Sequence, residues 1–364
     1  MSFERANIER MTGYGYGEQP DDAKVIKLNT NENPYPPSPA VARALAAVDI
    51  ALLRRYPPAT ALGFRRLAAA RFGLQPDQVV ATNGGDEALR LALTTFVDPG
   101  AAFGMASPSY SLYPVLASIQ DCRLVAVELG DGWLPPADLA ARLNAEDVRL
   151  TCLVNPHAPS GALLDAQAIA ALAESLSGVL LVDEAYVDFV DPGLAHDLTR
   201  LVHRFDNLLL LRSLSKGYSL AGVRFGFLLG SAGLIEPIRD KTRDSYNVSV
   251  LAQAAAEAAF ADRKHAEASW AAVRRERQRL RERLLAAGFD TPASEANFLL
   301  AAPPTDAPPA PAIYAALKRR GILVRHFDAP RLAGRLRITV GTPEENDSLL
   351  GALGEILRPG SERC

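Results

Sequence analysis

The chain has 364 residues, a formal net charge of −3 at pH 7 and a hydrophobic fraction of 48%. Its length favours two domains with a sizeable core, and its charge balance argues against nucleic acid or an anionic membrane as partner. The three cysteines have no metal-ligand spacing, and the chain shows no signal segment or transmembrane run, so we expect a cytoplasmic protein.

The first 28 residues lack a clear periodicity and are interpreted as an arm that carries Tyr14 and Tyr16. The next segment, residues 31–39, has four prolines within its last six positions, which predicts an extended path and excludes a helix there. A helix is expected after Ser38, with Pro39 in its first turn, and it should end near Val48.

A strand, a glycine turn and a helix are predicted over residues 79–96. The turn contains Gly85 and Asp86, and small residues at this place let backbone N–H groups point toward an anion. The helix N-terminus adds a partial positive charge. An ordinary helix start with Asp86 near the cap explains the same pattern, so from these residues alone both interpretations stay open.

Two continuous apolar runs end in residues that carry chemistry. Residues 179–182 lead into Asp183, and residues 208–211 lead toward Lys216. Such runs predict strands buried on both faces, as in a parallel sheet, and the carboxyl ends of parallel strands converge on a ligand site. A desolvated lysine is a nucleophile that condenses with an aldehyde, and Ser213, Ser215 and Arg224 suit a phosphate. This combination indicates pyridoxal 5'-phosphate (PLP).

The C-terminal third predicts a smaller α+β unit. Its elements are a helix over 266–287, a strand over 296–300, a helix over 312–320, and strands over 321–325 and 336–341. The basic run 274–283 in the first helix is interspersed with acidic residues, so we interpret it as a solvated face and not as a nucleic-acid site.

The segment 213–226, SLSKGYSLAGVRFG, resembles the lysine motif of the fold-type-I PLP-dependent aminotransferases, and most closely that of the histidinol-phosphate aminotransferases. Similar motifs run from Asn31 to Gly341. The resemblance implies an α/β fold, with a large domain around a mostly parallel seven-stranded sheet and a small α+β domain. We place the arm at 1–28, the large PLP-binding domain at 29–258 and the small domain, with a contribution from the arm, at 259–364.

The same resemblance implies roles for individual residues. Lys216 would attach the cofactor and act as the catalytic base and acid, and Asp183 would hold the pyridine nitrogen protonated. Tyr110 would stack on the ring, and Tyr186 would contact its hydroxyl group. In a homodimer, Tyr56 of the partner subunit would contact the phosphate. The other phosphate ligands would come from the same subunit as Lys216, and they are Gly85, Asp86, Ser213, Ser215 and Arg224.

The loop 155–161 departs from the family pattern. The family usually has Asn-Pro-Asn-Asn-Pro-Thr-Gly, and the asparagine before the second proline bonds the ring hydroxyl. This chain has Ala158 at that position, which cannot form the bond. Asn155 or His157 are the candidates to replace it.

Substrate contacts are expected from both ends of the chain. In the family the arginine of Leu-Arg-Ile-Thr-Val-Gly binds the anionic group of the substrate, which is Arg337 here, and Arg325 is a second candidate. Asn33, in the loop Asn-Glu-Asn-Pro, and Tyr16 or Tyr14 of the arm would border the substrate. The reaction implied is amino transfer from histidinol phosphate to 2-oxoglutarate.

Other activities stay open from the sequence. An aromatic amino acid aminotransferase or a threonine-phosphate decarboxylase-like lyase would keep Lys216 and Asp183 and change the substrate pocket. A Rossmann-like nucleotide-binding protein is disfavoured, because no G-x-G-x-x-G opens a helix after a strand. An aminotransferase-like regulator would need a DNA-binding domain, for which we find no spare length ahead of Asn31.

Overall fold

The computed structural model describes residues 2–22 and 24–358. The α-helices are α1 (Ala6–Arg10), α2 (Pro39–Ala46), α3 (Leu62–Phe72), α4 (Gly84–Phe96), α5 (Leu112–Gln120), α6 (Leu139–Ala145), α7 (Ala166–Ser175), α8 (Ala232–Pro237), α9 (Val250–Ala261), α10 (Arg263–Ala286), α11 (Ala310–Arg319) and α12 (Pro343–Ile356). The strands are β1 (Ile26–Lys27), β2 (Val79–Thr82), β3 (Ala102–Ser107), β4 (Arg123–Glu128), β5 (Val148–Val154), β6 (Val179–Asp183), β7 (Leu208–Ser213), β8 (Gly226–Gly230), β9 (Phe298–Ala301), β10 (Ile322–Leu323), β11 (Arg325–His326) and β12 (Leu336–Thr339).

A seven-stranded sheet forms the centre of the larger part, in the order β2-β8-β7-β6-β5-β3-β4. Strand β8 runs antiparallel to both of its neighbours, and the remaining pairs are parallel. The expected α/β fold with a mostly parallel seven-stranded sheet is therefore confirmed. Because β6 and β7 are neighbours in register, with Asp183 opposite Leu211, their polar ends meet at one edge of the sheet.

Helices cover both faces of this sheet, which explains the continuous apolar runs of its inner strands. On one face, Phe64 of α3 packs its ring against Phe225, Phe227 and Phe260, with centroids 4.4–5.2 Å apart. The other face carries α4 and α5, which pack on Leu181 and Leu209. Each large side chain buried in these layers contributes about 1.5–3 kcal/mol to folding.

The smaller part is built on a three-stranded antiparallel sheet in the order β11-β12-β9, covered by α10, α11 and α12. Near the start of the chain, β1 pairs in parallel with β10, so this early segment joins the smaller part. The single strand expected over 321–325 is two short strands, because β10 pairs with β1 and β11 pairs with β12. The division drawn between residues 258 and 259 falls inside α9.

The N-terminal arm bridges the two parts. At its start, Asn7 Nδ2 donates to the carbonyl of Ser118 on α5 at 2.8 Å. Farther along, the carbonyls of Gly15 and Tyr16 accept hydrogen bonds from Arg325 of β11 at 3.0 and 3.3 Å. The arm thus crosses the cleft above the sheet edge. In the two described ranges, no helix has the length and apolarity that a membrane span requires.

Candidate active site

A cavity of about 390 Å³ lies at the carboxyl ends of β3, β5, β6 and β7, between the sheet edge, the arm and the strands β11 and β12. Chain positions that are far apart in sequence supply its walls, because the parallel strands all end at this edge. The residues predicted for the site that line it are Gly85, Asp86, Tyr110, Asp183, Tyr186, Ser213, Ser215, Lys216, Arg224, Arg325 and Arg337.

Lys216 follows β7 and projects its amine into the cavity. Its Nζ donates a hydrogen bond to the carbonyl of Thr30 at 2.8 Å. Burial lowers the pKa of the amine from 10.5 to about 8, and the nearby charge of Arg337 acts in the same direction. About a tenth of Lys216 is therefore a neutral, nucleophilic amine at pH 7, far more than for an ordinary lysine.

Asp183 ends β6 and is 4% exposed. Its Oδ1 accepts a hydrogen bond from the Ala185 N–H at 3.0 Å, and its Oδ2 accepts one from the Tyr113 hydroxyl at 3.2 Å. Burial raises the pKa of this carboxyl to about 6, against the opposing effect of the two hydrogen bonds. Each oxygen keeps acceptor capacity for a cationic N–H, because a carboxylate has about four lone-pair sites.

Tyr113 was missed by the sequence reasoning. It lies in the first turn of α5, three residues after Tyr110, which precedes the helix, and the two rings pack edge to face with centroids 5.6 Å apart. The i,i+3 spacing of two tyrosines at the start of a helix is the signal that would have found it.

The amino end of α4 forms a cradle that starts with two residues without side chains, Gly84 and Gly85. Gly84 has a φ of +79°, and a Cβ added there would lie 2.7 Å from the Arg224 guanidinium. A Cβ at Gly226 would lie 2.8 Å from the backbone of Gly84, so β8 packs directly on this turn. The backbone N–H groups of the first turn are available to an anion, because the helix leaves them without intrahelical partners.

Asp86 connects this cradle to the rest of the cavity. Its Oδ2 accepts a hydrogen bond from Arg224 at 3.1 Å, and its Oδ1 accepts one from the Tyr110 hydroxyl at 3.2 Å. On the far side of the cradle, the Ser215 N–H donates to Ser213 Oγ at 3.1 Å. An arginine, two serine hydroxyls and a helix terminus therefore surround one space, and this donor set fits a phosphate group.

Two arginines form the wall opposite the sheet. Arg325 and Arg337 face each other across the β11–β12 pair, which puts their side chains on one side of the small sheet. Their hydrogen bonds go to main-chain carbonyls, Arg337 Nη2 to Asn29 at 2.8 Å and Arg325 to the arm. Within the described residues, Arg337 Nε is buried without a partner. These carbonyls do not neutralise the two charges, so the wall suits an anionic ligand.

The structure corrects the assignment of Asn155. Its Nδ2 donates to the Leu164 carbonyl at 2.9 Å, and its Oδ1 accepts from the Leu164 N–H at 2.8 Å. His157 is also occupied, because its ring nitrogens bond Ser160 Oγ at 2.7 Å and the Pro108 carbonyl at 2.9 Å. Neither side chain lines the cavity, whereas Ala158 does. Asn155 and His157 therefore do not replace the missing asparagine in this cavity.

Two further assignments are corrected. Asn33 does not line the cavity, because its Nδ2 donates to Ser269 Oγ at 3.2 Å and to the Gly217 carbonyl at 3.4 Å. Tyr16 points its ring outward and is 80% exposed. Tyr14 lines the cavity instead and packs its ring edge on Tyr110, with centroids 5.9 Å apart.

Tyr56 lies outside the cavity of its own chain. Its ring is 79% exposed and stacks on Tyr246, with centroids 4.3 Å apart and planes 12° from parallel. Apolar side chains of the preceding turn, Ile50, Leu52 and Leu53, are exposed as well. The segment 50–56 therefore presents an apolar surface.

Comparisons of sequence and structure place this chain among the aminotransferases. The family model for aminotransferase class I and II matches residues 23–353. Histidinol-phosphate aminotransferase 1 of Trichormus variabilis is 39% identical over 98% of this chain and 99% of its own, and the histidinol-phosphate aminotransferase of Geobacter sulfurreducens is 41% identical over 97% and 99%. The crystal structure of histidinol-phosphate aminotransferase from Sinorhizobium meliloti, in complex with pyridoxal-5'-phosphate, superposes with a TM-score of 0.89 at 25% identity, covering 98% of both chains.

Proposed function

We propose that this chain, which belongs to the class I and II aminotransferases and within them to the histidinol-phosphate aminotransferase family, transfers the amino group of histidinol phosphate to 2-oxoglutarate. One observation carries the proposal. A single cavity combines the amine of Lys216 and the buried carboxylate of Asp183 with two arginines on the opposite wall. The same cavity therefore holds an amine that can bond covalently to an aldehyde and two guanidinium groups that can bind an anion.

The enzyme is PLP-dependent, and the residues of the cavity fit this cofactor. The amino end of α4 with Ser213, Ser215 and Arg224 would hold its phosphate, because Gly84 and Gly85 leave the start of the helix open and the surrounding groups are hydrogen-bond donors. Asp183 would hold the ring nitrogen, Tyr110 would stack on the ring and Tyr186 would contact the ring hydroxyl. When bound, PLP serves as an electron sink for the substrate carbon that bears the amine.

Lys216 has two tasks in this proposal. Its lowered pKa supplies a neutral amine that would attach the cofactor, and the same Nζ would take the proton from the substrate carbon. Asp183 stays charged at neutral pH, since its pKa is about 6, and thereby favours a protonated ring nitrogen. The attraction between the Asp183 carboxylate and the protonated ring nitrogen would be about 4 kcal/mol at contact distance with an effective dielectric constant of 20.

Arg325 and Arg337 would bind the substrate's anionic groups. A guanidinium binds either a phosphate monoester or a carboxylate with two parallel hydrogen bonds, so the same wall serves both substrates in turn. The arm closes this side of the cavity through Tyr14 and through its carbonyls on Arg325.

The test of the substrate is a comparison of amino donors with 2-oxoglutarate as acceptor. We expect histidinol phosphate to exceed histidinol and phenylalanine in kcat/KM, because the phosphate adds charge-assisted hydrogen bonds of about 1.5–3 kcal/mol each. Equal kcat/KM values with and without the phosphate, or a preference for phenylalanine, would contradict the proposal. Release of carbon dioxide without consumption of 2-oxoglutarate would indicate a lyase.

Replacing Arg337 by alanine should lower kcat/KM by about 10–100-fold, the effect of losing one charge-assisted contact. A loss seen with histidinol phosphate but not with histidinol assigns the guanidinium to the phosphate; a loss with both donors assigns it to another group. Arg335→Ala is the matched control, since Arg335 precedes β12, pairs with Asp290 at 3.1 Å and does not line the cavity. An Arg337→Ala variant as active as this control would remove Arg337 from the site.

We also propose a homodimer with shared active sites. The support is the exposed apolar surface around Tyr56, which is outside its own cavity. Mixing Tyr56→Phe subunits with Lys216→Ala subunits should then give activity above the average of the two parents, because each hybrid dimer has one site free of both changes. If Tyr56 acts in its own subunit, the mixture will not exceed the average of the two parents. A cytoplasmic location stays a prediction.

A further inference from the structure

Alanine at position 158 leaves the ring hydroxyl of the cofactor without one expected donor. Ala158 lines the cavity but has no polar group, and the side chains of Asn155 and His157 are engaged elsewhere. Tyr186 remains as the residue proposed to contact this oxygen. Its burial raises the pKa of the phenol, so the hydroxyl keeps its proton. Which way that proton points then decides whether Tyr186 donates to the oxygen.

Asn31 fixes the direction of this hydroxyl. Asn31 Nδ2 donates to the Tyr186 oxygen at 3.0 Å. The orientation of the amide follows from Thr339, whose Oγ1 accepts from the Asn31 N–H at 3.0 Å and donates to Asn31 Oδ1 at 3.2 Å. Because the amide nitrogen faces Tyr186, the phenol oxygen acts as acceptor in this contact. Its own O–H therefore stays available to donate to a third group.

The backbone holds Asn31 in place for this contact. Its φ is +56°, a left-handed conformation that asparagine tolerates better than most residues. The Asn31 carbonyl accepts a hydrogen bond from Asn297 Nδ2 at 2.9 Å. With Thr339 on β12 and Asn297 directly before β9, the small sheet fixes the loop from two sides.

We propose that Asn31 is a positioning residue that makes Tyr186 a hydrogen-bond donor to the ring hydroxyl of PLP, in place of the donor absent at Ala158. This inference rests on the proposed function. Asn31 lines the cavity, but its amide acts through Tyr186. Thr339 of the small sheet orients the Asn31 amide, and the amide orients the hydroxyl of Tyr186, which follows β6 of the large sheet.

The test measures binding of PLP and of 3-deoxypyridoxal 5'-phosphate, which lacks the ring hydroxyl, to the protein freed of cofactor, at pH 8. Wild type should bind PLP about five- to tenfold more tightly than the analogue, the effect of one good hydrogen bond. Asn31→Asp keeps the shape but replaces the NH₂ donor by a carboxylate oxygen, which accepts the Tyr186 proton. This variant should bind PLP and the analogue equally, with affinity for the analogue unchanged.

Adding Ala158→Asn to Asn31→Asp supplies a new donor and should restore the preference for PLP. Tyr186→Phe leaves Asn31 intact and should abolish the preference as Asn31→Asp does, which keeps the test valid if the aspartate variant does not fold. Equal weakening of PLP and analogue by Asn31→Asp, or an unchanged preference in either variant, would overturn the inference. Failure of wild type to bind PLP at all would instead contradict the proposed function.

Discussion

Replacing Lys216 by arginine is expected to lower kcat by about 10²–10⁴-fold or more, the contribution of a positioned general acid–base group. Arginine keeps the positive charge and much of the volume, but it stays protonated and cannot attach an aldehyde or accept a proton. The measurement is the steady-state rate with histidinol phosphate and 2-oxoglutarate at saturating PLP. Loss of the covalent attachment should also replace the absorption band of the lysine-bound cofactor by that of the free aldehyde.

Lys27→Arg is the matched control, because Lys27 is close to the same loop through its bonds to Thr30 and Glu32 but does not line the cavity. Its activity should stay close to that of wild type. An active Lys216→Arg variant with an unchanged absorption band would exclude Lys216 as the attachment site.

The depressed pKa of Lys216 adds a pH dependence to this prediction. A lysine with a pKa of about 8 becomes a neutral amine as the pH rises through 8, whereas an ordinary lysine does so near 10.5. The rate at which PLP attaches to the protein freed of cofactor should therefore rise between about pH 7 and 9 and then level off. A rate that continues to rise up to pH 10 would show that burial does not lower this pKa.

Asp183→Asn is expected to lower kcat by about 10³-fold. The estimate follows from an ion pair worth about 4 kcal/mol, at about 1.4 kcal/mol per tenfold change in rate. Asparagine has nearly the same shape, so the cavity should keep its form while the ring nitrogen loses its negative partner. The steady-state rate and the absorption spectrum of the bound cofactor report the two consequences.

Asp183→Glu serves as the charge-preserving comparison. It keeps the carboxylate but adds a methylene in a buried site, where the hydrogen bonds from Ala185 and Tyr113 fix the oxygen positions. We expect an activity between wild type and Asp183→Asn. An asparagine variant within tenfold of wild type would show that the charge of Asp183 is not needed.

The centre of the fold was predictable because its signals are local. The runs 179–182 in β6 and 208–211 in β7 are apolar throughout. Asp183 follows the first run directly and Lys216 lies five residues after the second, and the chemistry of both requires a special environment. Parallel strands end at the same edge, so two such runs were enough to indicate a site between them. The glycine turn before the predicted helix, which contains Gly85, indicated an anion site in the same local way.

Strand β3 shows where local signals fail. The segment 102–107 contains alanine and glycine, which have low strand propensity, and it was not predicted. The strand fits beside its neighbours because Gly104 has no side chain: a Cβ there would lie 2.9 Å from Val148 and 3.0 Å from Leu143. Such a requirement involves neighbours that become close only after folding.

The orientation of polar side chains was equally beyond the sequence. Asn155 lies on the predicted loop, yet its amide turns to the backbone of Leu164 and away from the cavity. Asn31 reaches the site through contacts with Tyr186 and Thr339, which are 155 and 308 positions away in the chain. No periodicity encodes contacts of that range, whereas motif resemblance assigned residues by position and could not say which way they point.

The most direct test of Lys216 as the attachment site is chemical trapping of the cofactor. The protein is incubated with PLP, reduced with borohydride, digested and mapped by mass spectrometry. Because Lys216 combines a depressed pKa with a place in the cavity, we expect the pyridoxyl label on Lys216. A label on another lysine, such as Lys27 or Lys241, or no stable label at all, would contradict it.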